Sequence, residues 1–151
     1  MTAFRTTSEG ITVELTPEER MFLGDVIPLL AGIGAKGSDP AADRLMVPVY
    51  LDDPEANDEW WRLMGRDLEA ARRADRAVFS KMISGDEPVI LDIEEADAVL
   101  RVLNEVRLAL GARLGVEVEA DHDDLAEESR QVMDYLGWIQ EQLTTEVSKA
   151  L

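Results

Sequence analysis

Cysteine is absent from this sequence, and histidine occurs only once. The absence of cysteine excludes disulfides, thiol catalysis and cysteine-ligated metal sites within the 151 residues. No stretch approaches the roughly 18 consecutive apolar residues of a membrane-spanning helix. The first ten residues are polar and lack the apolar segment of a secretory signal peptide. We therefore expect a cytoplasmic protein that does not contact a membrane.

Basic residues are also scarce: 15 Lys and Arg stand against 32 Asp and Glu, which gives a formal net charge of −17. Because affinity for nucleic acids depends on cations that neutralise phosphates, we expect no direct binding of DNA or RNA. An anionic membrane surface would be repelled for the same reason. The acidity has two interpretations: it keeps the protein soluble, or it forms a face that meets a basic partner.

The composition and the spacing of apolar residues predict one mainly α domain over residues 1–151. Apolar residues make up 46% of the chain and charged residues 31%, as in globular proteins. Strand-like residues on both sides of a turn at Ser8–Gly10 predict an N-terminal hairpin, and Pro88–Leu91 predicts one short strand. We expect a helix bundle of about five helices with this small antiparallel sheet at its edge.

Local signals predict the first two long helical regions. Thr16–Glu19 is a capping sequence, and we expect the helix that follows it to kink at Pro28. A second helical region opens after Asp53 and reaches about Ile83. Gly65 is the point at which this region would divide in two.

Two C-terminal helices carry the clearest apolar stripes. The first begins after Asp92 and ends near Leu114, where Gly115 fits the left-handed position that closes a helix. The second runs from about Leu125 to Val147. The earlier stretch Pro40–Leu51 is predicted to contain one short helical turn and an apolar plug made of Leu45, Val47, Val49 and Tyr50.

Charge is distributed unevenly along the chain. The segment Arg62–Lys81 contains six of the 15 basic residues, and we expect them to pair with acids of this chain or of a second copy. Residues 117–128 contain seven acids and the only histidine, His122. Carboxylates and imidazole are metal ligands, but the spacing of a calcium loop is missing and no second histidine exists. The sequence therefore predicts a solvated acidic loop and no metal site.

No arrangement of residues identifies a catalytic or cofactor site. The glycine patterns of a nucleophile elbow, a phosphate-binding loop and a dinucleotide fold are missing, and Gly32–Gly34 is followed by a loop, so it ends a helix. Paired carboxylates can act as acid and base, which keeps a small carboxylate-based enzyme as an alternative. We predict no catalytic, cofactor-binding or metal-binding residues.

Four residues are candidates for contact with a partner, because tryptophan and arginine are enriched at binding hot spots. Adjacent helical residues point about 100° apart, so we expect one of Trp60 and Trp61 in the core and the other at its boundary. Arg107 lies beside an apolar stripe, and we expect it to pair with Glu105 or Asp134. The candidates are Trp60, Trp61, Arg107 and Trp138.

Two segments carry a resemblance to a known family: Leu103–Gly115 reads LNEVRLALGARLG, and Tyr135–Glu141 reads YLGWIQE. Leu15–Glu19 and Tyr50–Pro54 are similar to the same family, and the likeness covers most of the chain in the same order. The chain resembles an actinobacterial family long classed as a domain of unknown function, which includes the oxidative-stress regulator AosR. Genes of this family often lie near the gene for the Clp protease adaptor.

The resemblance implies a non-enzymatic protein that regulates transcription under oxidative stress through a sigma-factor partner, without reading DNA itself. That route uses a disulfide as its trigger, and this chain has no cysteine to form one. We therefore expect a regulatory interaction protein without a cysteine switch. A second copy of the chain is an alternative partner. Exposure of Trp61 or Met64 would favour such a homodimer. An accessory role in Clp-dependent proteolysis is the other alternative and rests on gene neighbourhood.

Overall fold

Six helices and three short strands make up the part of the chain that the computed structural model describes, which is residues 2–34, 37–46, 48–85, 88–116 and 118–151. Helices account for 70% of the structure. The predicted fold class, mainly α with a small antiparallel sheet, is confirmed. The helices are α1 (Pro17–Ala31), α2 (Pro40–Leu45), α3 (Pro54–Ser84), α4 (Ile93–Arg113), α5 (Glu119–Asp123) and α6 (Glu127–Ala150).

The sheet has the strand order β1 (Phe4–Thr7), β2 (Gly10–Val13), β3 (Ile90–Leu91), and both pairings are antiparallel. Gly10 has a φ of 144°, and a Cβ at this position would lie 2.6 Å from the Leu91 carbonyl oxygen. Only glycine therefore lets β3 approach the hairpin this closely. The predicted hairpin and the predicted short strand both form.

The predicted helix ends are explained by their capping groups. Thr16 with Glu19, and Asp92 with Glu95, form complete capping boxes at the starts of α1 and α4. At the end of α4, Gly115 has a φ of 79°, and the backbone N–H groups of residues 115 and 116 donate to carbonyls of the last turn. This is the Schellman arrangement, which satisfies carbonyls that a helix end leaves without partners.

The core lies between α4, α6, the sheet and the C-terminal part of α3. α4 contacts α1, α2, α3 and α6, so it is the central element. Arg20 of α1 donates from Nη1 to the carbonyls of Met82 (3.1 Å) and Gly85 (3.2 Å), which fixes the C-terminal end of α3. The largest side chains with almost no exposure include Phe4, Ile11, Leu23, Phe79, Met82, Leu103, Leu136, Ile139 and Leu143.

Two local expectations change. α3 runs without a break through Gly65, so the predicted division is wrong; one glycine only weakens a helix interior, and packing at the far end holds this one together. α1 continues past Pro28 to Ala31, and the kink expected at Pro28 stays a prediction. The predicted plug is wrong for Val49 and Tyr50, which are each 47% exposed, while Leu45 packs against the core. Val47 lies outside the described residues.

The acidic segment before the last helix was expected to be a loop, and this expectation is wrong for the part that forms a short helix. α5 occupies Glu119–Asp123, and α6 begins at Glu127, two residues later than the prediction. Residue 117 lies outside the described part of the chain, as do Asp86 and Glu87 of the predicted turn before β3. None of the helices in the described ranges is long and apolar enough to cross a membrane.

Candidate functional site

The N-terminal part of α3 is the least buried stretch of long helix in the structure. We call residues 54–70 the α3 arm. The buried residues of α3 are Asn57, Asp75, Phe79 and Met82, so none of the residues between Asn57 and Asp75 is buried. Two large apolar side chains of the arm are open to solvent: Leu63 is 60% exposed and Met64 is 40% exposed. The arm therefore carries an apolar surface that the other described residues do not cover.

Trp60 and Trp61 form an aromatic pair on this arm. Their ring centroids are 5.0 Å apart with an interplanar angle of 84°, which is the favourable edge-to-face geometry. Both side chains are partly buried. The expectation of one core tryptophan is wrong, because the core begins further along α3. The Trp61 Nε1 atom is shielded from solvent and has no hydrogen-bond partner among the described residues.

Acidic residues precede the tryptophan pair. Asp52, Asp53, Glu55, Asp58 and Glu59 lie within the eight residues before Trp60, and all are exposed. Asp53 caps α3 by accepting a hydrogen bond from the Ala56 N–H at 3.1 Å. A hydrogen bond from Arg62 lowers the pKa of Glu59. The aromatic pair therefore sits beside a negatively charged helix start.

The basic segment of α3 is divided between internal ion pairs and solvent. Glu105 of α4 accepts from Arg76 at 3.1 Å and lies 3.8 Å from Arg72. On the same side of α3, Asp75 accepts two hydrogen bonds from Arg101, at 2.8 and 2.9 Å. Two further arginines are exposed and have no carboxylate partner in the described part of the chain: Arg66 and Arg73. The segment is therefore not one continuous basic face.

A cleft of about 1010 Å³ opens between α4, α5 and α6. We call it the Arg107 cleft, because this arginine reaches it from α4 while α6 supplies most of the wall. Two of the predicted candidates, Arg107 and Trp138, line the same cleft, whereas Trp60 and Trp61 do not. Its lining includes Arg107, Asp134, Gly137, Trp138, Gln140 and Glu141.

Arg107 pairs with an amide and not with a carboxylate. Its Nη1 donates to Gln140 Oε1 at 2.6 Å, and its Nε is shielded from solvent without a partner among the described residues. The predicted pairing with Glu105 or Asp134 is wrong. Residues two apart on a helix point about 200° apart, which turns Glu105 towards α3. Asp134 instead contacts His122, with 2.7 Å between Oδ1 and Nε2.

An aromatic row leads from α1 to the cleft. Phe22 meets Tyr135 edge to face with ring centroids 5.2 Å apart, and Tyr135 lies 6.0 Å from Trp138. The Tyr135 hydroxyl donates to Glu19 at 2.8 Å, and burial raises the pKa of this hydroxyl. Trp138 ends the row and is 39% exposed, so it offers a flat apolar face beside Arg107.

The buried carboxylates in the described ranges are all paired with cations. Asp75 and Glu105 have arginine partners, and Glu146 is 2.8 Å from Lys149 while accepting from the Thr6 N–H at 3.0 Å. No three side chains of the kinds that hold metals come together in the described part of the molecule.

Gln140 and Gly137 were not singled out as site residues from the sequence. A usable signal existed: Arg107 follows the core residue Val106, and Gln140 follows the core residue Ile139. The apolar stripes of α4 and α6 pack against each other. Residues that directly follow a core residue in each helix therefore meet at the edge of this contact. Which edges meet depends on the rotation of the two helices, and the stripes alone do not define it.

Comparisons with known proteins give a family and no characterised relative. No curated protein and no solved structure matches the chain. One family model does match, and it covers residues 1–147, nearly the whole sequence. The predicted relationship to an uncharacterised family is thereby confirmed at that level. The chain belongs to the family described as Domain of unknown function (DUF2017).

Proposed function

We propose that this protein is a non-enzymatic regulatory protein, and that it acts by binding a basic protein partner through the α3 arm. The observation that carries the proposal is the uncovered apolar surface of the arm around Trp60 and Trp61. The two rings are already packed against each other, so little side-chain freedom is lost when a partner covers them.

Other exposed apolar residues lie on the arm and in the loop that precedes it. Five of the large apolar residues that are open to solvent lie on the arm or in the loop before it: Val49, Tyr50, Leu51, Leu63 and Met64. Clusters of this kind mark interaction surfaces, whereas scattered single residues need no explanation. The loop is held in place because Asn57 Oδ1 accepts from the Val49 N–H at 2.7 Å.

The negative charge around the tryptophan pair favours a basic partner. The acids of Asp52–Glu59 border the aromatic pair, and the whole chain carries a formal charge of −17. A protein with an apolar pocket ringed by Lys and Arg is complementary to this surface and would be steered towards it at low salt. Free duplex DNA has the opposite charge from such a partner, and we expect no binding to it.

The resemblance to the AosR family suggests the partner more narrowly. A sigma factor exposes basic DNA-binding faces, and binding one would make this protein a cytoplasmic regulator of transcription in the oxidative-stress response. Stress sensing would then have to come from the partner or from another component, since this chain has no cysteine.

The alternatives receive less support. A small carboxylate-based enzyme needs two converging acids that are free to exchange protons, whereas Asp75, Glu105 and Glu146 are each engaged with a cation. An accessory role in Clp-dependent proteolysis rests on gene neighbourhood in the resembled family, and binding of the purified Clp adaptor would favour it.

The proposal is tested by calorimetric titration of the full chain with each purified sigma factor encoded in the source genome, at low and near-physiological salt. We expect one of them to bind, and to bind more weakly as salt rises. The double variant W60A/W61A should bind about 30-fold more weakly, because buried tryptophans are typical hot spots.

Met21→Ala is the matched control, because Met21 is 73% exposed but lies on α1; its affinity should equal that of the wild type. Binding of no sigma factor, or equal binding by W60A/W61A, would contradict the proposal. So would a stable homodimer in light scattering that W60A/W61A dissociates, because a second copy would then occupy the arm.

A further inference from the structure

Arg107 is a partly buried arginine that has no carboxylate partner in the described part of the chain. Arg76, Arg101 and Arg113 each reach a carboxylate, at 3.1, 2.8 and 2.9 Å. Arg107 has only the Gln140 amide oxygen within hydrogen-bond distance in the described part of the chain, although the sequence contains 32 acids. A partly buried guanidinium that keeps its charge normally has an anion beside it.

One side of this guanidinium is open to the cleft. Nη1 is held by Gln140, and Nε is shielded, but Nη2 has no partner among the described residues. Next to Nη2 lies Gly137, where a Cβ would sit 3.7 Å from Nη2 and 3.8 Å from Cζ. The missing side chain therefore leaves this face of the guanidinium uncovered.

Three other donors along the cleft are already in use. Thr144 and Ser148 donate their hydroxyl protons to backbone carbonyls one turn earlier, at 2.8 and 3.0 Å. Lys149 lies 2.8 Å from Glu146. Arg107 is consequently the cation of the cleft that has no carboxylate partner in the described part of the chain. Asp134 and Glu141 also line the cleft, so an incoming phosphate of about two negative charges would be less well matched than a singly charged carboxylate.

The shape of the cleft indicates the kind of molecule that carries this carboxylate. Its lining extends along α6 from Met133 to Lys149, which is roughly 24 Å at the rise of an α-helix. An extended peptide of about seven residues spans that distance. Trp138 lies along the same wall and would pack against an apolar side chain of such a peptide.

We propose that the Arg107 cleft binds an extended polypeptide segment that presents one carboxylate to the Arg107 guanidinium and an apolar side chain to Trp138. This site is separate from the α3 arm and does not depend on the function proposed for the arm. Gln140 is a positioning residue, since it holds Nη1 and turns Nη2 towards the cleft.

The test uses a displayed library of random heptapeptides, selected in parallel against the full-length wild type, R107Q and R73Q. Arg73 is an exposed arginine of α3 outside the cleft, so R73Q loses the same charge. Wild type and R73Q should enrich peptides with Asp or Glu at a fixed position next to an apolar residue, and R107Q should not. Replacing that acid by its amide in the best synthetic peptide should weaken binding about tenfold or more.

Gly137→Ala provides a second variant that keeps the fold. Alanine favours the helix, so the melting temperature should rise by about 2–4 °C, while the new methyl group covers the guanidinium and weakens peptide binding. The W60A/W61A variant should bind the peptide as the wild type does, which separates this site from the α3 arm.

Three results would overturn the proposal: no acidic position is enriched, R107Q selects the same peptides as the wild type, or the amide peptide binds equally well. If acetate or benzoate binds as tightly as the best peptide, the cleft serves a small organic acid and the polypeptide assignment is wrong.

Discussion

α6 and α3 are both long amphipathic helices, of 24 and 31 residues, yet they use their apolar residues differently. α6 buries Leu136, Ile139 and Leu143 completely. α3 begins to bury apolar residues only at Phe79 and leaves the tryptophan pair of its arm partly covered. The two amphipathic stripes therefore differ in burial: α6 buries its stripe in the core, and the first half of α3 leaves its apolar residues partly or fully exposed.

A belt of ion pairs marks the border between these two regions. Arg72, Asp75 and Arg76 of α3 meet Glu105 and Arg101 of α4 just before α3 enters the core. The arm lies on the N-terminal side of this belt. The free energy of unfolding should therefore be insensitive to side-chain changes in the arm. The largest expected change in the free energy of unfolding comes from a substitution in the core.

Ile139→Ala should lower the free energy of unfolding by about 2–5 kcal/mol, because it leaves a cavity beneath α4. Leu63→Ala, on the exposed side of the arm, should change it by less than about 0.5 kcal/mol. Urea unfolding followed by circular dichroism measures both values. A cost for Leu63→Ala close to that for Ile139→Ala would mean that the arm belongs to the cooperative core.

The next effect concerns the belt itself. Glu105→Gln keeps the shape of the side chain but removes the charge that faces Arg72 and Arg76, and it should cost about 1–3 kcal/mol. The matched change on the arm is Glu59→Gln, which breaks an exposed pair with Arg62 and should have no measurable effect in the same urea experiment. Equal effects from both changes would remove the distinction between belt and arm.

The smallest effect is a dependence on pH. Hydrogen bonds from Lys149 and from the Thr6 backbone hold the pKa of Glu146 below its usual value of 4.5. A depressed pKa contributes stability above the ordinary pKa, and this contribution is lost as the pH falls through the folded-state pKa.

The melting temperature of the wild type should therefore decrease more than that of the Glu146→Gln variant when the pH falls from about 5 to about 3. Glu59→Gln should follow the wild type closely, because its partner Arg62 lies one turn away on the same helix and the pair forms without tertiary structure. Parallel curves for wild type and Glu146→Gln would show that the contact between α6 and β1 carries no charge-dependent stability.

Features that depend on neighbouring residues could be predicted from the sequence. The capping boxes at Thr16 and Asp92 need only a side chain and an N–H three residues later, and Gly115 closes α4 through one backbone conformation. The hairpin and the apolar stripes of α4 and α6 have the same local character. All of these were predicted and are present.

Features that depend on how elements meet could not be predicted in the same way. Arg107 finds Gln140 only because of the relative rotation of α4 and α6. Val49 and Tyr50 are apolar but face outward, since Asn57 holds the backbone of this loop against the start of α3. The partly buried tryptophan pair has the same origin: its helix is longer than the surface it packs on.

The hydrogen bonds of Arg20 anchor α3 at its C-terminal end. They fasten α1 to the carbonyls at the C-terminal end of α3, and Phe79 fixes the same end in the core. Trp60 lies roughly 29 Å away along one uninterrupted helix. A partner bound to the tryptophan pair would be connected to the core through this single rigid helix. The direction of the α3 axis would therefore determine how the rest of the protein is oriented relative to the partner.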